Sequence, residues 1–261
     1  DLNQVLPDCM RLLQAMVDVI SSNGWLRPAI AAMELSQMIV QGIWSRDSSL
    51  LQLPHFNSKL VEKCAEKEVE GVLDLMEMED EDRSALLSSE MSAEKMAEVA
   101  QVCNSYPNIE VNYQLAGHES EEADEDDEEE EKPVPKVSAG ETLTLNVSLT
   151  REDFEAQQGD LGLGIVNAPL YPVTKTEGWW LVLGDPSNNA LLAIRKLTLG
   201  ESANVNLRFN APETTGVHNL ELSFMCDAYL GCDQEYEVNI QVGDEESAEA
   251  AEEEEEPMDE S

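Results

Sequence analysis

The chain has 261 residues, enough for about two domains with a buried core. Its 55 acidic and 15 basic residues give a formal net charge of −40. That balance argues against the extended lysine- and arginine-rich surface with which an autonomous nucleic-acid binder displaces counterions.

The first half reads as helical. Leu2, Val5, Leu6, Cys9, Leu13, Met16, Val17 and Ile20 recur at three- and four-residue spacing and predict an amphipathic helix. Asn23-Gly24 ends it, and Pro28 suits the first turn of a second helix reaching about Trp44. Ile30, Met33, Leu35, Met38 and Ile39 give that helix a less regular apolar surface, and Trp25 and Trp44 bracket it as expected core residues between helices. After Leu53-Pro54-His55-Phe56 four short helices are predicted: Lys59 to about Lys67 behind an Asn57 or Ser58 cap, Val69 to Met76, one from near Asp80, and Ala93 to Cys103 behind Ser92. The acidic cluster from Glu77 to Asp82 lacks the spaced ligands and turn glycine of a calcium loop. It reads as acidic helix starts that complement the dipole.

From Tyr106-Pro107 the period changes to two. Strands are predicted at Ile109 to Tyr113, Leu143 to Leu149, Gly178 to Gly184, Leu191 to Leu197, Asn204 to Phe209, His218 to Met225 and Gln234 to Val242. Seven short strands with turn residues between them suggest an immunoglobulin- or fibronectin type III-like β-sandwich. Asp185 to Asn189 reads as a plain hairpin loop. Eleven acids fall in 119–131 and eleven in 244–261. The first run reads as a solvated loop insertion at 119–132, and the second as a disordered acidic tail. Outside the two runs, 33 acids still face 15 bases.

The expected organisation is therefore the end of a helical bundle at 1–53, a small helix-loop-helix domain at 54–105, the sandwich at 106–243 and the tail at 244–261. The longest apolar stretch, Ala29 to Trp44, is interrupted by Glu34, Gln37 and Gln41, so no membrane span is expected. The chain begins at Asp1 and is read as a piece of a longer protein. Cys9, Cys64, Cys103, Cys226 and Cys232 are odd in number and lack zinc spacing, which points to free thiols in a reducing compartment. There is no phosphate-binding Gly-x-x-x-x-Gly-Lys-Ser/Thr loop. His55, His118 and His218 fall in separate predicted units and build no triad. No catalytic, cofactor-binding or metal site is expected.

The segment Glu177-Gly178-Trp179-Trp180 places two indoles side by side in a strand, so they must point to opposite faces. One should fill the sandwich core. The other should cover either the adjoining helical part or a neighbouring chain. With Tyr229, Trp179 and Trp180 are the candidate interface residues.

Together with Leu197-Thr198-Leu199 and the run Asp227 to Tyr236, Glu177 to Trp180 resembles the end of a Sec sixty-three homology module. Ser22 to Leu26, Leu53 to Phe56 and Met76 to Glu81 are similar to the version at the C-terminal end of the second cassette of large spliceosomal RNA helicases. The resemblance implies a bundle, a helix-loop-helix domain and an immunoglobulin-like sandwich, in that order. It implies a non-catalytic interaction and regulatory module acting in pre-mRNA splicing in the nucleus, with ATPase motifs lying upstream in a parent helicase. The implied partners are the neighbouring helicase cassette and other spliceosomal proteins, without cofactor, membrane or direct nucleic-acid contact. In such cassettes one bundle helix can line a nucleic-acid channel with basic and aromatic side chains. The matching stretch here, Met10 to Ile20, has Arg11 as its single base. Two other readings remain open: the cytosolic module of the endoplasmic-reticulum translocation subunit, and an acidic chaperone for basic proteins.

Overall fold

Residues 2–117, 134–152 and 163–243 are described by the computed structural model. The expected acidic insertion and acidic tail lie outside the described residues.

Helix α1 (Leu2–Ser22) ends where Gly24 takes φ 71°, and α2 (Leu26–Gln41) packs against it. Gly42 ends α2 in the left-handed conformation, its N–H donating to the Met38 carbonyl at 2.8 Å. The helix therefore stops three residues before Trp44, the end expected from apolar periodicity. A 3-10 turn (Ser49–Gln52) leads to α3 (Ser58–Ala65), where the Asn57 side chain accepts from the N–H groups of Lys59 and Leu60 at 3.0 and 3.1 Å. Helices α4 (Val72–Glu77), α5 (Asp80–Ser88) and α6 (Ala93–Ser105) follow. Asp80, Glu81 and Asp82 occupy the first turn of α5, where carboxylates oppose the positive end of the dipole.

The second half is strand-rich. Strand β1 (Ile109–Leu115) pairs antiparallel with β3 (Thr142–Arg151), and β3 with β6 (Ser202–Asn210). A second sheet has the order β2-β8-β7-β4-β5, from β2 (Lys136–Ser138), β4 (Trp179–Asp185), β5 (Ala190–Leu197), β7 (Gly216–Cys226) and β8 (Gln234–Gly243). Strand β2 was not predicted: at three residues it is too short to show a period, and its parallel pairing with β8 is a tertiary matter. Alternation decides what is buried. Leu143, Leu145, Val147 and Leu149 of β3 share one cluster with Leu181, Leu183, Leu222, Phe224, Val238 and Ile240 of the other sheet. The same cluster runs on into Leu50, Leu60, Leu75, Val99 and Tyr106 of the helical half.

Candidate functional site

Strand β4 is buried along its whole length, because it has something on both faces. Trp179 points between the sheets and stacks on Phe224, with ring centroids 4.5 Å apart and planes 9° apart. Its Nε1 donates to Glu177 Oε1 at 3.2 Å, and the same carboxylate pairs with Arg151 in a buried ion pair. Trp180 points the other way, into a second cluster with Val17, Leu26, Ala29, Ala32 and Met33. The second indole therefore covers α1 and α2. Lys196 closes its outer edge, with Nζ 5.5 Å from the ring centroid.

The approach of α2 to β4 requires a glycine. A Cβ on Gly184 would lie 2.5 Å from Leu26 Cδ1. Next to it, the Asn189 carbonyl accepts from Leu26 N–H at 3.2 Å, the Asn189 Oδ1 accepts from Arg27 N–H at 2.8 Å, and Leu191 N–H donates to the Gly24 carbonyl at 2.9 Å. The loop read as a plain hairpin thus holds the start of α2.

The run from Cys226 to Asp233 is the second clasp. Gln37 Nε2 donates to the Cys226 carbonyl at 2.8 Å, Gln41 Nε2 to that of Ala228 at 2.8 Å, and Gln52 Nε2 to that of Leu230 at 2.8 Å. Three glutamines from the helical half so satisfy every second carbonyl of one sheet-derived segment. Gln52 Oε1 also accepts from Leu230 N–H at 3.2 Å, and the Tyr106 hydroxyl donates to the Leu230 carbonyl at 2.6 Å. Tyr229 sits edge-on to Tyr106 at 5.2 Å and accepts from Asn167 N–H at 2.9 Å. Burial pushes both phenols up, so they stay neutral at physiological pH. Gly231 turns the segment with φ 82°, and a Cβ there would lie 2.9 Å from the Ser49 hydroxyl.

Asp233 closes the turn, accepting from Cys226 N–H at 2.8 Å and Gln37 Nε2 at 2.7 Å. Burial raises its carboxyl to about 6, although both hydrogen bonds act the other way. Lys175 pairs with Asp227 at 2.6 Å, and Asp227 also accepts from Gly178 N–H at 2.8 Å. Each of these polar groups is held by partners inside the chain.

The three interface candidates are all buried: Trp179 between the sheets, Tyr229 in the same cluster against Tyr106 of the helical half, and Trp180 under the helices. None presents a ring to solvent. Trp25 and Trp44, expected between helices, are instead 51% and 63% exposed. The α1–α2 turn is pinned to the β4–β5 hairpin through the Trp25 backbone, which leaves its ring outside. Trp44 lies beyond the Gly42 stop, with Arg46 stacked 5.8 Å away. The single apolar stripe expected on α1 is two stripes. Met10, Leu13 and Val17 face inward, whereas Leu2, Val5, Leu12, Met16 and Val19 remain exposed, Leu12 by 66%.

The family described as Sec63 Brl domain matches residues 1–239. The chain belongs to that family. Over 244 residues, 94% of the chain, it is 48% identical to the "U5 small nuclear ribonucleoprotein 200 kDa helicase" of Drosophila melanogaster, and over 242 residues 46% identical to the protein of that name in Homo sapiens. The "DExH-box ATP-dependent RNA helicase DExH12" of Arabidopsis thaliana is 46% identical over 245 residues. In each case the chain spans about a tenth of the relative's length, and in the first two the match is to the C-terminal region. Within this Sec63 Brl domain, the residues that join its halves were missed as such by sequence reasoning. Their signal was present: Gln37 and Gln41, four apart, interrupt the apolar run of α2.

Proposed function

We propose that the chain is a non-catalytic interaction and regulatory module of a spliceosomal RNA helicase, acting in pre-mRNA splicing in the nucleus. The outer face of α1 carries this reading. Five large apolar side chains at helical spacing lie in solvent on a helix whose opposite face is already packed. Burying them would contribute about 1.5–3 kcal/mol each. The relatives are about ten times longer than this chain, and the natural occupants of such a face are the neighbouring parts of such a helicase and its protein partners. We read the two sheets as an immunoglobulin-like sandwich, and the chain as bundle end (1–53), helix-loop-helix domain (54–105), sandwich (106–243) and tail (244–261). Arg11 is the single base of Met10 to Ile20, so strand translocation is not assigned to α1.

The net charge of −40 favours a second reading, an acidic chaperone for basic proteins. Capture from nuclear extract at moderate and high salt separates the two, because exposed charge contacts are screened within about 8 Å at physiological ionic strength and apolar contacts are not. Salt-resistant recovery of splicing factors, lost in a Leu12→Glu/Val19→Glu variant, supports the module. Recovery of basic proteins alone, lost at high salt, sinks it.

A further inference from the structure

Strand β5 ends the five-stranded sheet and β6 ends the three-stranded one, and the two outer strands lie side by side. Between them runs an open groove of about 930 Å³, lined by Arg195, Lys196, Asn206 and Arg208. Three of the chain's 15 basic residues thus gather at one place on an acidic molecule. Among the described residues none of the three pairs with a carboxylate. Arg195, Lys196 and Arg208 are all exposed. In the register with β4, Arg195 lies opposite Leu181 and Lys196 opposite Trp180, so the two cations leave β5 on opposite faces.

Two features therefore coincide. The α1–α2 turn takes the edge of β5 at Ala190 and Leu191, and beyond them no further strand among the described residues pairs along that side, which is where extended peptides add to a sheet. Among the side chains that line the groove, Arg195 and Lys196 on β5 and Arg208 on β6 are cationic, and no carboxylate is among them. A second copy of this chain is a poor occupant, because antiparallel β5–β5 pairing would set these cations against their own counterparts. A long nucleic acid is also a poor occupant, because the rest of the surface would repel it. We propose that the groove takes an extended acidic peptide segment of a partner protein. It adds as a strand along the edge of β5, with its carboxylates toward Arg195, Lys196 and Arg208. This site is separate from the outer face of α1 and does not depend on what covers that face.

The test uses the full chain and a short fluorescein-labelled Glu/Val peptide, followed by fluorescence anisotropy at near-physiological ionic strength. Saturable binding is expected. The combined Arg195→Gln and Arg208→Gln variant, which leaves the Lys196 contact with Trp180 intact, should weaken it about tenfold or more while melting like the parent. Methylating alternate amides of the peptide, which leaves its charge intact, should weaken it as much. The proposal is overturned by absence of saturable binding, by indifference to either change, or by tighter binding of a single-stranded oligonucleotide of matched charge. Carbodiimide cross-linking of Lys196 to the chain's own residues 244–261 would also overturn it, by giving the groove to the chain itself.

Discussion

The two faces of β4 solve the same packing problem by different chemistry. Between the sheets Trp179 lies against Phe224 in an alternating apolar core, where side-chain shape decides the fit. On the helix side Trp180 is also buried, but the helix–sheet joint is completed by directed hydrogen bonds, which Gln37, Gln41 and Gln52 donate and Asn189 accepts. An apolar core tolerates repacking that conserves volume, whereas a ladder of carbonyls and amides fixes one register. The helices are thus held to the sheet in a defined position, which the proposed interaction role of the outer α1 face requires.

The largest expected effect separates the two faces directly. Trp179→Ala should cost about 3–5 kcal/mol in denaturant unfolding, with far-UV circular dichroism and tryptophan fluorescence changing together. Trp180→Ala should cost a similar amount but split the two signals, because the helices lose their seat on the sheet first. Coincident transitions in both variants would erase the distinction between the faces.

Next in size is the clasp. Gln41→Ala leaves the Ala228 carbonyl buried without its donor and should cost about 1–3 kcal/mol, measured as a lower denaturation midpoint at unchanged slope. A loss near zero would mean that water replaces the amide and that the ladder is not specific.

Asp233 makes the clasp sensitive to pH. Its folded carboxyl sits at about 6, above the ordinary value of 3.8, so the folded state holds the proton more tightly than the unfolded one. The contribution of this group to stability is full below about pH 4 and is lost as pH rises to about 6. Relative to Asp233→Asn, the parent should lose about 2–3 kcal/mol between pH 4 and 7. Parallel stability curves for parent and variant across that range would remove the titration from the clasp.

The smallest effect is expected on the outer face of α1. Leu12→Ser should change the stability of the isolated chain by no more than about 0.5 kcal/mol, since the side chain is largely in solvent. Thermal melts check this, and a larger loss would mean that the outer stripe already packs within the chain.

Much of the fold was readable from local patterns. Asn57 and Ser58 marked the start of α3, and the period of two located seven of the strands seen among the described residues. The opposed tryptophans followed from strand geometry alone. Local pattern failed where a residue's partner lay far along the chain. Trp25 and Trp44 were expected inside by residue type, but backbone pairing at Ala190 and the Gly42 stop left both rings outside.

By itself the sequence determined the acidic balance, the passage from helices to strands, and the family, because charge, periodicity and short motifs are local properties. Only the tertiary structure decided that Trp180 covers α1 and α2, that three glutamines in the first 52 residues hold carbonyls near residue 230, and that Arg195, Lys196 and Arg208 share a groove. Those facts depend on which strands become neighbours and where the helices land. That choice is made by the burial of both faces of the sheet at once, and no stretch of sequence contains it alone.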